Sequence, residues 1–424
     1  NGDGAWSLAV QPFRQSVFER VDLGGQADSA AALARVADAA QRGITLERPF
    51  KAVWMDLGAG RAGRLLLVAH HLAVDGVSWR LILEDMQTVH RQLLQGRAPA
   101  LPAATTSFRD WSAALTRHAA STGLADELEH WRAVAGPTEA PLPGNAAGSN
   151  TVADARTITV ALSEARTAEL LGDVPQAYRT RIDEVLLTAV ACSLCEWDGR
   201  DSVLVELEGH GREEHLFDGV DLSRSVGWFT TLYPVRLAPG SGEDIGTSLK
   251  AVKEQLRHVP GKGLGYGVLR YLSEAGRVLA DAAYPQVTFN YLGQLDQSFD
   301  AGATWRLAHE GSGAERAPGS RRRTLLSIDA DVYRGELRVR WTYSAAVHDD
   351  ATVRALSQRF QQELEGLIAH CLGGSRGITP SDFPLAGLTQ AQIDRQPLPL
   401  DRLVDLYPLS PMQSGMLFHS LFDP

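Results

Sequence analysis

Leu65-Leu66-Leu67-Val68-Ala69-His70-His71-Leu72-Ala73-Val74-Asp75-Gly76 is an apolar run that ends in two histidines and an Asp-Gly pair. Its length and the turn residues that bound it predict a buried strand over 64–71. Side chains alternate faces along a strand, so His70 and His71 are expected to point opposite ways. Imidazole exchanges protons near neutral pH, which makes such a pair at a strand end a candidate catalytic site. A metal site and a satisfied core pair fit the same residues, and spacing alone leaves all three open. Beyond Gly76 the apolar positions Val77, Leu81, Ile82, Met86, Val89, Leu93 and Leu94 follow helical spacing up to Gly96. Upstream, 51–57 is a second strand and the alanine-rich 30–40 a surface helix.

The same periods continue along the chain. Helices are expected over 107–119, 125–134, 183–197, 246–257 and 351–371, the third of them apolar all round and therefore buried. Strands are expected over 157–162, 202–208, 226–237 and 286–292, with a hairpin of 323–332 and 336–344 around Arg334-Gly335. Ser163 is placed to cap a helix. The stretch 136–148 is dense in Pro, Gly and Ala and is the best linker candidate. No repeat at solenoid spacing occurs. The mixture predicts two α/β lobes joined near that stretch.

The chain has 424 residues, enough for two domains, with 44 % hydrophobic and 22 % charged residues, ordinary for a globular protein. Its formal net charge of −10 argues against nucleic acid or an anionic membrane as partner. No apolar run approaches the ~20 residues of a membrane span, and Asn1-Gly2-Asp3-Gly4 carries no signal segment. With three cysteines a disulfide framework is not expected, and a cytoplasmic location is. Cys192 and Cys195 form a CxxC inside the expected buried helix, where apolar packing is favoured over metal or redox use.

Polar residues followed by glycine recur at strand ends: His70-His71 before Asp75-Gly76, Glu208 before Gly209, and Asn290-Tyr291 before Gly293. Glycine there permits a sharp turn and close approach of a ligand. A carboxylate and an imidazole from different strands suit proton abstraction beside a carbonyl, Glu208 moving the proton and His71 stabilising charge or handling a second one. Glu208 paired with Arg212 on the surface and Tyr291 in packing are the competing readings. Asp75 is expected to hold nearby backbone or an arginine rather than react. Gly261-Lys262-Gly263-Leu264-Gly265-Tyr266-Gly267 has its lysine misplaced for a phosphate loop, so a mobile or tight loop is expected.

Five ordered stretches together resemble the epimerization domain of nonribosomal peptide synthetases, within the condensation-domain superfamily. They are His70-His71-Leu72-Ala73-Val74-Asp75-Gly76-Val77-Ser78-Trp79-Arg80, Glu208-Gly209-His210-Gly211-Arg212-Glu213, Ser225-Val226-Gly227-Trp228-Phe229-Thr230-Thr231-Leu232-Tyr233-Pro234-Val235, Gly263-Leu264-Gly265-Tyr266-Gly267 and Phe289-Asn290-Tyr291-Leu292-Gly293-Gln294. The resemblance implies an α/β (α+β) chloramphenicol-acetyltransferase-like fold, two lobes in a V with an active-site tunnel between them. It also implies an aminoacyl or peptidyl thioester substrate on the 4'-phosphopantetheine arm of a carrier domain, whose Cα configuration is equilibrated from L to D. By resemblance Glu208 and His71 are catalytic. His70, Asp75, Gly76, Trp79, Asn290 and Tyr291 bind substrate or support the site, with Asp75 holding the His71 loop and Asn290 and Tyr291 lining one tunnel. No metal and no intrinsic cofactor is implied.

The resemblance begins past the family's opening Pro-x-Gln strand and helix, with Asn1 near an expected strand. The implied organisation is 1–135 as N-terminal lobe, 136–150 as inter-lobe linker, 151–388 as C-terminal lobe and 389–402 as inter-domain linker. The segment 403–424 resembles the start of a following condensation domain through Leu406-Tyr407-Pro408-Leu409-Ser410-Pro411-Met412-Gln413. An upstream peptidyl carrier domain and a downstream condensation domain are therefore the expected partners. Two other functions share the fold: a condensation domain in which His71 assists attack of an amine on a thioester, and a catalytically silent recruitment module. The Glu208 turn and Asn290-Tyr291 argue for the epimerizing branch, and the intact histidine motif argues against the silent one.

Overall fold

The computed structural model describes residues 17–136, 139–240, 244–294, 305–396 and 403–422. The strand expected near Asn1 lies outside the described residues, as do 137–138 and 397–402 of the two expected linkers. The chain divides into two compact units, and the division falls at Leu101/Pro102 rather than in 136–150.

The first unit holds β1 (Phe18–Asp22), α1 (Ser29–Arg42), β2 (Phe50–Asp56), β3 (Arg64–Ala69) and α2 (Gly76–Leu94). Its sheet has the order β1-β2-β3, with β1 parallel and β3 antiparallel to β2. Asp28 caps α1 through the Ala31 N–H, and the helix lays Ala32, Leu33, Ala37 and Ala40 on the sheet. Ala32, Leu33 and Ala40 meet Val53, Met55 and Val68, so the alanine stripe is a small-residue face that lets the helix lie close. Two remote pieces complete the unit: Val226–Trp228 and the described part of Phe299–Ala317. The latter is held by Arg64, which grips Glu310 in a bidentate pair with Nη2–Oε1 at 2.7 Å, and by the Trp305 ring 5.4 Å from His90. No local period in the sequence points to that return.

The second unit starts with α3 (Phe108–His118) and α4 (Thr122–Ala135), which the sequence groups with the first lobe. Their buried Trp111, Leu124 and Trp131 explain the difference, because they pack with Phe229, Leu264, Tyr266 and Leu269 of the second unit. Burying an aromatic of this size stabilises by about 2–3 kcal/mol, which composition at 136–148 does not outweigh. That stretch is not a spacer either: Leu142 is in the main core and the Asn145 N–H bonds the Val347 carbonyl at 2.8 Å.

The unit continues through β4 (Ala155–Ala161), α5 (Glu164–Gly172), α6 (Val174–Tyr178), α7 (Ile182–Asp198), β5 (Val203–Gly209), β6 (Thr231–Leu237), α8 (Ile245–Arg257), α9 (Leu264–Leu272), β7 (Val287–Gln294), β8 (Leu326–Tyr333), β9 (Glu336–Ser344), α10 (Asp350–Leu372), α11 (Gln390–Asp394) and α12 (Pro411–Phe422). Six strands form one mixed sheet, β4-β9-β8-β7-β5-β6. One face carries Val203, Val205, Leu207, Val287, Phe289, Ile328, Ala330, Val339 and Trp341 into a core shared with α7, α8 and α10. The other face is polar, with Glu206, Thr288, Ser327, Asp329, Arg340 and Thr342 alternating between the buried positions. The hairpin of β8 and β9 turns at Arg334-Gly335, both at positive φ as a two-residue turn requires.

Candidate active site

The histidines lie one and two residues past the end of β3, in a turn rather than in the strand. Strand alternation therefore does not aim them; local hydrogen bonds do. The Nδ1–H of His71 donates to the Val74 carbonyl at 2.9 Å, because a carbonyl can only accept. The Nε2 of neutral His71 then carries the lone pair. Nδ1 of His70 instead accepts the Leu72 N–H at 3.1 Å, which puts its proton on Nε2. His71 is exposed and its ring lies 4.9 Å from that of Trp228.

Asp75 is 3 % exposed and is the N-cap of α2, its Oδ1 accepting the Ser78 N–H at 2.7 Å. This is a bond to nearby backbone of the kind expected for Asp75, and such a cap is worth about 1 kcal/mol. Gly76 is the first residue of that helix with open space about its Cα and no positive φ, so the Asp-Gly pair is a helix start, not a reversed turn. Trp79 packs toward Phe50, ring centroids 6.4 Å apart. These residues all belong to the first unit.

Glu208 stands near the end of β5 in the second unit, on the polar face two residues beyond Glu206. Glu206 is 4 % exposed and satisfied by Arg323 at 2.7 Å and the Tyr284 hydroxyl at 3.1 Å. The register pairs Glu206 with Thr288 and Leu207 with Phe289, so Asn290 is level with Glu208 on the neighbouring strand. Tyr291 does not join it. Successive side chains oppose, and Tyr291 packs against the main core on the other face, where burial pushes its hydroxyl pKa up.

The turn after Glu208 is rigid. Gly211 has φ +67°, and a Cβ there would overlap the Phe229 carbonyl oxygen, so only glycine fits. Arg212 donates to the carbonyls of Leu222 and Ser225 at 3.0 and 2.7 Å and lies 4.0 Å over the Phe229 ring. Glu213, 3 % exposed, meets Lys262 at 3.0 Å, with His210 and His215 at 3.5 and 3.4 Å. Lys262 sits between Gly261 and Gly263 in a tight left-handed turn, which settles the glycine-rich stretch as tight. The sequence marks both stretches, but only tertiary packing brings Lys262 to Glu213.

The cysteines of the CxxC lie in α7, and burial pushes their thiols up to about 11 and about 12, away from thiolate chemistry. Among the described residues no helix is long and apolar enough to cross a membrane. A cavity of about 300 Å³ lined by His130, Val134, Arg236, Glu254 and His258 contains none of the candidate site residues.

With this geometry established, residues 8–380 match the family model described as condensation domain, and the chain belongs to that family. Its relatives are nonribosomal peptide synthetases. The chain is 41 % identical over 431 residues to a linear gramicidin synthase protein of Brevibacillus parabrevis, covering 99 % of this chain and 6 % of that protein. It is 40 % identical to chondramide synthase cmdD of Chondromyces crocatus, covering 99 % and 11 %. The chain thus spans a small fraction of these relatives' length. Among solved structures, the epimerization domain from the third module of tyrocidine synthetase B aligns with a TM-score of 0.77 and 34 % identity, over 84 % of this chain and 80 % of that one. The first condensation domain of the CDA synthetase aligns with a TM-score of 0.57 and 20 % identity, over 88 % and 80 %, which speaks for the fold alone. The fold is the two-lobed chloramphenicol-acetyltransferase-like one that the motifs imply.

Proposed function

We propose that this chain equilibrates the Cα configuration, L to D, of an aminoacyl or peptidyl thioester held on the phosphopantetheine arm of a carrier domain. A thioester acidifies the adjacent Cα–H, and removing that proton sends the electron pair into the carbonyl as an enolate. Glu208 takes or returns the proton as a carboxylate. His71 acts through Nε2, as a base when neutral and as a proton donor to the opposite face when protonated. Asn290, level with Glu208, donates a hydrogen bond to the developing enolate oxygen. Asp75 and Val74 hold the His71 turn.

The observation that carries this reading is the rigid turn at Glu208, fixed by Gly211, Arg212 and Glu213 as a catalytic base needs. The 34 % identity to an epimerization domain supports the same branch. The upstream partner is then a peptidyl carrier domain. The segment 403–424 leads into a following condensation domain, in keeping with the exposed apolar residues of α12.

The test is to load a carrier protein with an L-aminoacyl group, add this chain in deuterated water, and read chirality and deuterium at Cα after hydrolysis. The expected result is a mixture of D and L with deuterium at Cα. Amide formation with an added acceptor and no deuterium would mark a condensation domain, and an unchanged substrate a recruitment module.

A further inference from the structure

A strand is expected over 226–237, yet β6 starts only at Thr231. The three residues Val226–Trp228 belong to the first unit, although the chain on either side belongs to the second. Ser78, fully buried one helical turn from the Asp75 cap, makes reciprocal bonds to Gly227: its Oγ donates to the Gly227 carbonyl at 2.9 Å and lies 3.1 Å from the Gly227 N–H. A hydroxyl both donates and accepts, so one side chain fixes both backbone groups of the residue before Trp228. Within the second unit, the flanking Ser225 is held by Arg212 and Phe229 lies against Gly211.

Trp228 is 37 % exposed, so filling a core does not explain its large ring. What the ring does is lie 4.9 Å from the His71 imidazole at an interplanar angle of 41°. The imidazole is thus held at Nδ1 by the Val74 carbonyl and meets, in a tilted contact, an indole, the aromatic ring that best attracts a cationic group.

We infer that Trp228, held by the Ser78–Gly227 clamp, is a positioning residue that fixes the His71 ring with its Nε2 edge presented for proton transfer. Its catalytic consequence rests on the function proposed above; the positioning itself does not. Two readouts on the full chain separate them. The first is the rate at which diethyl pyrocarbonate modifies His71, measured by peptide mass spectrometry with His70 as internal reference. The second is kcat and KM for Cα deuterium exchange on a carrier-bound thioester.

In Trp228→Ala the His71 rate is expected to change about threefold or more relative to His70, and kcat to fall about 10- to 100-fold with KM within twofold, as a misplaced reacting group requires. Trp228→Phe, which keeps an aromatic face, restores kcat to within about threefold. A wild-type His71 rate together with a wild-type kcat in Trp228→Ala overturns the inference. So does an equal rise at His70 and His71 with a lowered Tm, which marks unfolding. If the wild-type chain exchanges no deuterium but Trp228→Ala still alters His71 alone, positioning stands and the epimerase reading falls.

Discussion

The Nδ1–H of His71 donates to the Val74 carbonyl oxygen at 2.9 Å, three residues along the same turn. Beside it in sequence, His70 has the opposite tautomer, because its Nδ1 accepts the Leu72 N–H. Two adjacent imidazoles thus differ in what they offer at Nε2: a lone pair on His71 and a proton on His70. The tight turn after β3 decides this, and it leaves the lone pair at Nε2 on His71 and not on His70.

Glu208→Gln keeps the size and hydrogen-bonding capacity of the side chain but cannot carry the proton. Cα exchange on a carrier-bound substrate is expected to fall by about 100-fold or more, with carrier binding retained. Wash-in of deuterium at the wild-type rate would remove Glu208 from the chemistry.

Gly211→Ala and Gly219→Ala form a matched pair. Both positions have positive φ, at +67° and +72°, but only at Gly211 does an added Cβ meet backbone. Gly219→Ala is expected to cost about 1–2 kcal/mol for the left-handed backbone. Gly211→Ala adds a further 1–3 kcal/mol or so from overlap with the Phe229 carbonyl and displaces Glu208. Chemical denaturation midpoints compare the two, and equal costs would show that the turn yields.

Lys253 is fully buried, with Nζ 2.7 Å from the Asp382 carboxylate and 2.7 Å from the Tyr178 carbonyl. Asp382 also receives Arg257 at 2.8 Å, so this cluster docks the segment after α10 onto α8. Asp382→Ala strands a buried ammonium and is expected to cost about 3–5 kcal/mol. The double variant Lys253→Met with Asp382→Leu removes both charges and should be the more stable of the two by calorimetry. A double variant less stable than the single would mean that packing, not desolvation, dominates the site.

Arg64 holds the Glu310 carboxyl down to about 2 from an ordinary value of 4.5, chiefly by hydrogen bonding. A depressed carboxyl pKa stabilises the folded state above pH 4.5 and loses that contribution as pH falls toward about 2. The pair is about one-third exposed, so the gain is roughly 0.5–1 kcal/mol. Glu310→Gln is therefore expected to be less stable than wild type at about pH 6 and to match it near the folded-state value of about 2 in denaturant titrations. A difference that persists or grows on acidification would contradict the assignment.

Much of this is legible in the sequence because it depends on neighbours in the chain. The 3.6-residue period marks α2 and α10, a continuous apolar run marks α7, alternation marks β4, and Arg334-Gly335 marks the hairpin of β8 and β9. A bond from Asp75 to nearby backbone is expected from the sequence, whereas its place as a helix cap is seen only in the structure. Composition misleads where long-range packing decides: Trp111 and Trp131 take α3 and α4 into the second unit, and Leu142 buries the stretch that reads as a linker. Strand alternation does not reach His70 and His71, which lie beyond the strand's end. The same rule does hold at Asn290-Tyr291, within β7, and it separates two residues that the motif groups together.

By itself the sequence determined the class of fold, the motif residues and the chemistry they can perform, because side-chain identity and local period need no partner. Only the tertiary structure decided that Trp228 lies on His71, that Lys262 and two histidines converge on Glu213, and that Arg64 grips Glu310. Most of these join residues dozens to hundreds of positions apart, and such encounters are set by the burial of apolar surface across the whole unit, which leaves no local signal.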